Sequence, residues 1–190
     1  MGKDEAVDLV DREDRRVGTA TLERCLREGL LHRAVAVLVI RSDGKVLIQV
    51  RSRKDHWQPG RWTLSCTGHV KAGEGYEHAA RRELAEELGI KADVTPVTKL
   101  RLPRVRGRGS VEWEVVSLFT SRTDEPPSID PVELDGVHAL SPGELDELMD
   151  GRRLTPDAKI MLRAYRALIQ GRPSSRPSRR GRRLPAPKMR

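Results

Sequence analysis

Aromatic residues are nearly absent: three Trp, two Tyr and one Phe make up 3% of the 190 residues. The interior must therefore be filled by Leu, Val, Ile and Ala. Cysteine is as scarce. Cys25 and Cys66 cannot build a disulfide framework and lack zinc-finger spacing. The longest apolar run, Ala34-Val-Ala-Val-Leu-Val-Ile40, falls far short of the roughly 20 residues of a membrane helix. Met1-Gly-Lys-Asp-Glu-Ala leads into charge and not into an apolar signal core, so a cytoplasmic location is expected. Most of the chain also lacks net charge. Lys plus Arg number 36 against 28 Asp plus Glu, a net +8, yet residues 171–190 hold eight basic residues and no acidic one. The excess belongs to that tail, which argues against a basic nucleic-acid-binding face on the remainder.

The pattern along the chain predicts three parts. Residues 1–29 read as an N-terminal extension of hairpin and short helix, with Thr21 as N-cap, Leu22 to Glu28 helical and Gly29 at its end. Residues 30–170 alternate strands and helices, which predicts an α/β domain. His32 to Ile40 is a buried strand, Asp43-Gly44 centres a turn, and Val46 to Val50 returns. Further strands are expected at Trp62 to Cys66, Val94 to Leu102, Val111 to Thr120 and Val137 to Leu140. Helices are expected from about Glu77 to Leu88, from Pro142 to Met149 and from Pro156 to Ile169. Residues 171–190, rich in Pro, Ser, Gly and Arg, read as a disordered basic tail with weak, salt-sensitive affinity for polyanions.

The chemistry concentrates in Gly68 to Ile90. On the expected helix, Glu83, Glu86 and Glu87 are three and four residues apart, so at about 100° per residue their carboxylates share one face. Like charges at this spacing oppose helix formation by a few tenths of a kcal/mol per pair. A bridging cation removes that conflict, and oxygen-only ligands suit Mg²⁺ or Mn²⁺. Outside any motif, such a face would be a solvated one balanced by Arg81 and Arg82.

The wider pattern is Gly, five residues, Glu, seven residues, then Arg-Glu-apolar-x-Glu-Glu-x-Gly-apolar. Gly68, Glu74, Arg82, Glu83, Leu84, Glu86, Glu87, Gly89 and Ile90 fill all nine defined positions. The stretch resembles the box of the Nudix hydrolase family. The resemblance implies a Nudix α/β/α sandwich with a mixed β-sheet and a loop–helix–loop motif. It also implies Mg²⁺-dependent cleavage of a diphosphate linkage, in a nucleoside diphosphate derivative or a related small organic diphosphate. On this pattern Glu83, Glu86 and Glu87 hold metal, and Glu86 or Glu87 takes the catalytic proton. Glu74 and Arg82 brace the loop, Gly68 admits close backbone approach and Gly89 ends the helix. The chemistry agrees, because diphosphate hydrolysis requires neutralised phosphate charge and hydroxide near neutral pH.

Outside the box, Leu31-His-Arg-Ala, Pro59-Gly-Arg-Trp-Thr, Cys66-Thr-Gly-His69 and Val111-Glu-Trp-Glu-Val resemble type I isopentenyl-diphosphate isomerase and its near Nudix relatives. That resemblance implies substrate binding by Arg51, His69 and Glu114. It also implies a second, softer metal site at Cys25, His32, His69, Glu112 and Glu114, Cys25 standing where the pattern has a His. The alternative for His69 and Glu114 is hydrogen bonding to substrate or bracing of the sheet. The isomerase's catalytic Cys falls at Thr67 and its carbocation-shielding Trp at Asp157. Both departures favour hydrolysis over isomerisation, which stands as the alternative together with a non-catalytic nucleotide-binding module. Substrate choice is expected from loops 51–61, 103–110 and 121–136. Trp57, Trp62 and Trp113 read as packing residues, and Arg101, Arg104, Arg106 and Arg108 as a mobile charged loop.

Overall fold

A computed structural model describes residues 4–54, 57–107 and 109–171. The tail from 172 onward, which carries the whole basic excess and was expected to be disordered, falls outside the described residues.

The element order is β1 (Ala6–Val10), β2 (Arg16–Thr21), α1 (Leu22–Glu28), β3 (His32–Ile40), β4 (Val46–Arg51), β5 (Trp62–Thr63), β6 (Cys66–His69), α2 (Tyr76–Leu88), β7 (Val94–Arg101), β8 (Val105–Arg106), β9 (Val111–Glu112), β10 (Glu114–Arg122), β11 (Leu134–Leu140), α3 (Pro142–Asp150) and α4 (Pro156–Gln170). Among the described residues, nine strands form one mixed sheet and β8–β9 a separate ribbon. The central strand is β3, buried along almost all its length. It pairs in parallel with β10 from His32↔Glu114 to Ile40↔Arg122.

Alternation along β3 divides the core into two layers. Val35, Val37 and Val39 pack with Ala79, Ala80, Leu84 and Leu88 of α2. Ala34, Ala36 and Leu38 face the opposite way, against Leu145, Leu148 and Met149 of α3 and Ala158, Met161 and Leu162 of α4. The result is the expected α/β/α sandwich. Each fully buried Leu contributes about 1.5–3 kcal/mol of apolar transfer energy, which offsets the shortage of rings.

Three expectations about single strands change. The turn at Gly44 (φ 82) is present, but β3 and β4 pair only at Ile40↔Val46 and then diverge. Ser65 spans the gap: its hydroxyl accepts from Val39 N at 2.8 Å and donates to Leu47 O at 2.5 Å. That plug interrupts the strand expected at Trp62 to Cys66, leaving β5 on β4 and β6 on β3. Likewise, the strand expected from Val111 breaks at Trp113, so Glu112 and Glu114 sit in different strands.

The helix ends follow their cap residues. Thr21, Ser141 and Thr155 accept from the N–H three residues on, and Ser141 completes a capping box with Glu144. Gly29 and Gly89 close α1 and α2 in the left-handed region, which a side chain would strain.

Residues before 30 share the main sheet. Leu9 pairs with His32, Val7 bridges to Lys71, Ala72 N donates to Ala6 O at 2.8 Å, and Gly73 N to Asp8 Oδ2 at 3.1 Å. The N-terminal hairpin thereby holds the loop that leads into α2. Asp14 extends the clamp, accepting from Arg33 Nε at 2.8 Å, the Tyr76 hydroxyl at 2.9 Å and Lys99 Nζ at 2.5 Å.

Candidate functional site

The acid face of α2 lies beside β6. Arg82 organises it: Nε and one terminal nitrogen grip both oxygens of Glu74 at 3.0 and 2.9 Å. The same nitrogen donates to His69 O at 3.0 Å, and the other reaches Glu83 at 2.7 Å and Glu86 at 3.0 Å. A planar guanidinium suits such forked recognition. Burial opposes charge on Glu74, but the Arg82 fork, Lys71 N–H and His78 outweigh it and hold the carboxyl down at about 2.

Glu83 is buried against Gly68. A Cβ at Gly68 would stand 2.1 Å from the Glu83 carboxyl carbon, so only glycine admits the side chain there. The close approach expected at Gly68 is thus filled by a carboxylate. Glu87 is partly buried, and Thr67 N donates to it at 3.4 Å. Burial, then the neighbouring Glu83 charge, push Glu87 up to about 8. Burial also raises Glu83, against the pull of Arg82. Glu86 is the exposed member of the set. Three crowded carboxylates, two of them raised by burial, fit a hard divalent cation, which would relieve both desolvation and repulsion.

A second cluster assembles where β3, β6, β9 and β10 meet. One ligand atom from each of His32, His69, Glu112 and Glu114 lies within 4.8 Å of the others. His69 Nε2 is 3.3 Å from Glu114 Oε1 and 3.9 Å from Glu112 Oε2, and His32 Nε2 is 3.8 Å from Glu114 Oε1. The Nδ1 of His32 lies 2.9 Å from Leu30 O, which only a protonated nitrogen can satisfy. Its Nε2 lone pair therefore faces the cluster. Among the described residues that atom, His69 Nε2 and Glu112 Oε2 are buried without a hydrogen-bond partner. Burial lowers the His32 pKa. It works the same way on His69, but the Glu112 and Glu114 carboxylates outweigh it and carry that imidazole up to about 10. Orphaned imidazole and carboxylate atoms aimed at one point fit a transition metal or Zn²⁺.

Cys25 corrects the expected five-residue set, because the gathered group does not include it. Its side chain packs with Val7, Ala20 and Leu22, and burial pushes its thiol up to about 11. The β-strand alternation accounts for Cys66 as well. Cys66 pairs with Val37 and points into the core beneath α2, whereas Thr67 pairs with Ala36 and faces the other layer with His69.

Arg51 lies between the clusters, its charge acting on Glu87, Glu112 and Asp157. It donates to Trp57 O at 2.9 Å. Arg104 is no mobile charge: it stacks over Trp113 at 4.1 Å and donates to Gly29 O at 2.8 Å. Gln49 was missed. Its only sequence signal is one polar residue inside the apolar run Val46 to Val50, and the structure buries it to 1% exposure beside Glu87.

An acid-faced helix behind a glycine-tight loop, set in an α/β/α sandwich, defines a class of fold and site. The NUDIX domain family model matches residues 30–165, and the chain belongs to that family. Its curated relatives include an isopentenyl-diphosphate Delta-isomerase of Serratia proteamaculans (strain 568), 31% identical over 81% of this chain and 84% of that protein. Another of the same name, from Nocardia farcinica (strain IFM 10152), is 37% identical over 73% of this chain and 81% of that protein. Among solved structures, DR0079 from Deinococcus radiodurans superposes with a TM-score of 0.70 at 25% identity, covering 84% of this chain and 98% of that one. Among the described residues, no helix is long and apolar enough to cross a membrane.

Proposed function

We propose that this protein is a divalent-metal-dependent Nudix hydrolase that cleaves a diphosphate linkage in a small organic diphosphate. The observation that carries the reading is the complete acid set Glu83, Glu86 and Glu87 beside Thr67, where the isomerase-like pattern places its acid thiol. A threonine hydroxyl does not titrate in the range that alkene protonation needs, and Cys66, on the face of β6 opposite Thr67, is fully buried with its thiol raised by burial and by Glu87 and Glu83.

Glu83, Glu86 and Glu87 would hold Mg²⁺ or Mn²⁺, which supplies charge neutralisation and acidifies water. Arg51 places a further positive charge by the phosphates. Glu86 and Glu87 are the acids assigned to the proton taken from water. Arg82 fixes the direction of Glu83 and Glu86, and Glu74 fixes Arg82. His69 and Glu114 bind the substrate or, with His32 and Glu112, a second cation.

That cluster, together with the relatives' names, favours a second reading: an isopentenyl-diphosphate isomerase. One assay separates the two. Incubated with Mg²⁺ and a panel of nucleotide sugars, dinucleotides and isoprenoid diphosphates, a hydrolase releases phosphate-bearing fragments. An isomerase converts isopentenyl diphosphate to its allylic isomer with the diphosphate intact. Isomer formation without cleavage of any panel member would sink the hydrolase reading.

A further inference from the structure

Asp8 is a buried carboxylate with no part in the chemistry assigned to α2, and it lies on β1, ahead of the family match at residues 30–165. Arg16 Nε donates to its Oδ1 at 2.8 Å, and Arg33 stands 3.7 Å from its Oδ2. A carboxylate taken out of water is costly unless it is paired and hydrogen-bonded. The two guanidinium groups meet that condition. The same Oδ2 also reaches out of the hairpin and accepts from Gly73 N at 3.1 Å, in the loop before α2.

The chain it meets is a tight turn. Glu74 N donates to Lys71 O at 2.9 Å, and of the two central residues, Ala72 and Gly73, only Gly73 has a positive φ (76), which is the mark of a type II turn. A Cβ at Gly73 would meet nothing within 4 Å, so the glycine answers to the turn and not to lack of space. Both central N–H groups are taken by β1: Ala72 N by Ala6 O at 2.8 Å, and Gly73 N by Asp8. Glu74 follows directly, and its two oxygens grip Arg82, whose remaining nitrogen reaches Glu83 and Glu86. At the far end of the loop, Asp14 accepts from the Tyr76 hydroxyl, and Arg33 donates to Asp14 while standing beside Asp8. One run of contacts therefore leads from the N-terminal hairpin, through the turn and the Glu74–Arg82 brace, to the acids of α2.

Resting on the reading of Glu83, Glu86 and Glu87 as metal ligands, we propose that Asp8 is a positioning residue of that metal site. By anchoring the turn 71–74 to β1, it sets the Glu74–Arg82 brace and, through the brace, the direction of the acids.

The test uses the full chain and two readouts that need no turnover. One is the nitrogen–proton NMR signal of Arg82 Nε in metal-free protein, which the grip of Glu74 protects from exchange. The other is Mn²⁺ affinity, read from the EPR signal of the free aqueous ion, with Glu87→Gln marking the share that belongs to the acid helix. Asp8→Ala is expected to lose the protected Arg82 signal and to weaken the Glu87-dependent Mn²⁺ binding by about 10–100-fold, as loss of a group behind the ligands does. Gly73→Ala breaks the same contact from the other side, straining the positive φ without a clash, and keeps the test alive if Asp8→Ala does not fold. The same two losses are expected there. Leu22→Ala trims the hairpin's own apolar packing and is expected to lower the melting temperature while leaving both readouts as in the wild type. An Arg82 signal that survives in Asp8→Ala and Gly73→Ala overturns the proposal, as do equal losses in Leu22→Ala. Mn²⁺ binding that Glu87→Gln weakens and the turn variants do not also overturns it, and leaves the metal reading standing. Mn²⁺ binding that Glu87→Gln leaves unchanged ends the metal reading of the helix instead, and loss of the Arg82 signal in Asp8→Ala then still assigns Asp8 to the brace.

Discussion

The two acid-rich clusters of this site are built in opposite ways. Glu83, Glu86 and Glu87 come from one turn of one helix, so helical geometry alone puts them together. His32, His69, Glu112 and Glu114 come from four strands, and the parallel β3–β10 register sets His32 opposite Glu114. The first cluster leans on Arg82, which neutralises part of its charge internally. The second has orphaned buried atoms and no internal cation apart from the His69 proton. A locally encoded cluster is held by its helix, whereas a dispersed one depends on the register of the strands that carry it.

The steepest loss of activity tests the helical cluster. Glu87→Gln should lower phosphate release by on the order of 10³-fold, about 4 kcal/mol of transition-state stabilisation. Glu77→Gln should change little, since Glu77 on the same helix pairs with Arg81 at 2.7 Å on the solvent side. Equal losses in both would mean damage to the helix. Gly68→Ala comes next. The added methyl meets the Glu83 carboxyl, and displacing it should cost roughly 100-fold in rate and raise the Mg²⁺ concentration needed, about 2.7 kcal/mol. A normal Mg²⁺ titration in that variant would show that Glu83 carries no metal.

The strand cluster is sharpened by metal analysis of protein purified without chelator. About one equivalent of transition metal is expected in the wild type, lost in both His32→Ala and Glu114→Gln. Sub-stoichiometric metal that His32→Ala leaves unchanged would refute a second metal site. A further test concerns the brace and reads stability, not activity. The Glu74 pKa of about 2 lies below its ordinary 4.5, so its stabilisation is present above about pH 4.5 and lost as pH falls toward 2. For this nearly buried group it is on the order of 3 kcal/mol. In Glu74→Gln the melting temperature should start lower and fall less steeply over that acid window. An acid limb as steep as the wild type's would assign the loss to other carboxylates.

Legibility in the sequence follows the same division. The caps at Thr21, Ser141 and Thr155, the strand His32–Ile40 and the acid face of α2 depend on neighbours a few residues apart, and each was readable. Ser65 was not, because its partners Val39 and Leu47 belong to strands whose divergence is a property of the sheet. Cys25 was placed with the metal ligands by correspondence of position, and packing under the N-terminal hairpin took it elsewhere. Gln49 passed as one polar residue in a strand, since its meaning lies in Glu87, far along the chain.

Local residue order is enough to specify the helix with three acids on one face, the glycines at its loop and end, and a threonine in place of a thiol at position 67. These rest on helical periodicity and on side-chain chemistry, which need no long-range information. Long-range packing, by contrast, brings His32 and Glu114 together across β3 and β10, turns Cys66 inward and Thr67 outward on β6, and sets Asp157 of α4 within the field of Arg51. Strand register, face and helix docking arise from burying two apolar layers at once, and no local stretch of chain holds that constraint.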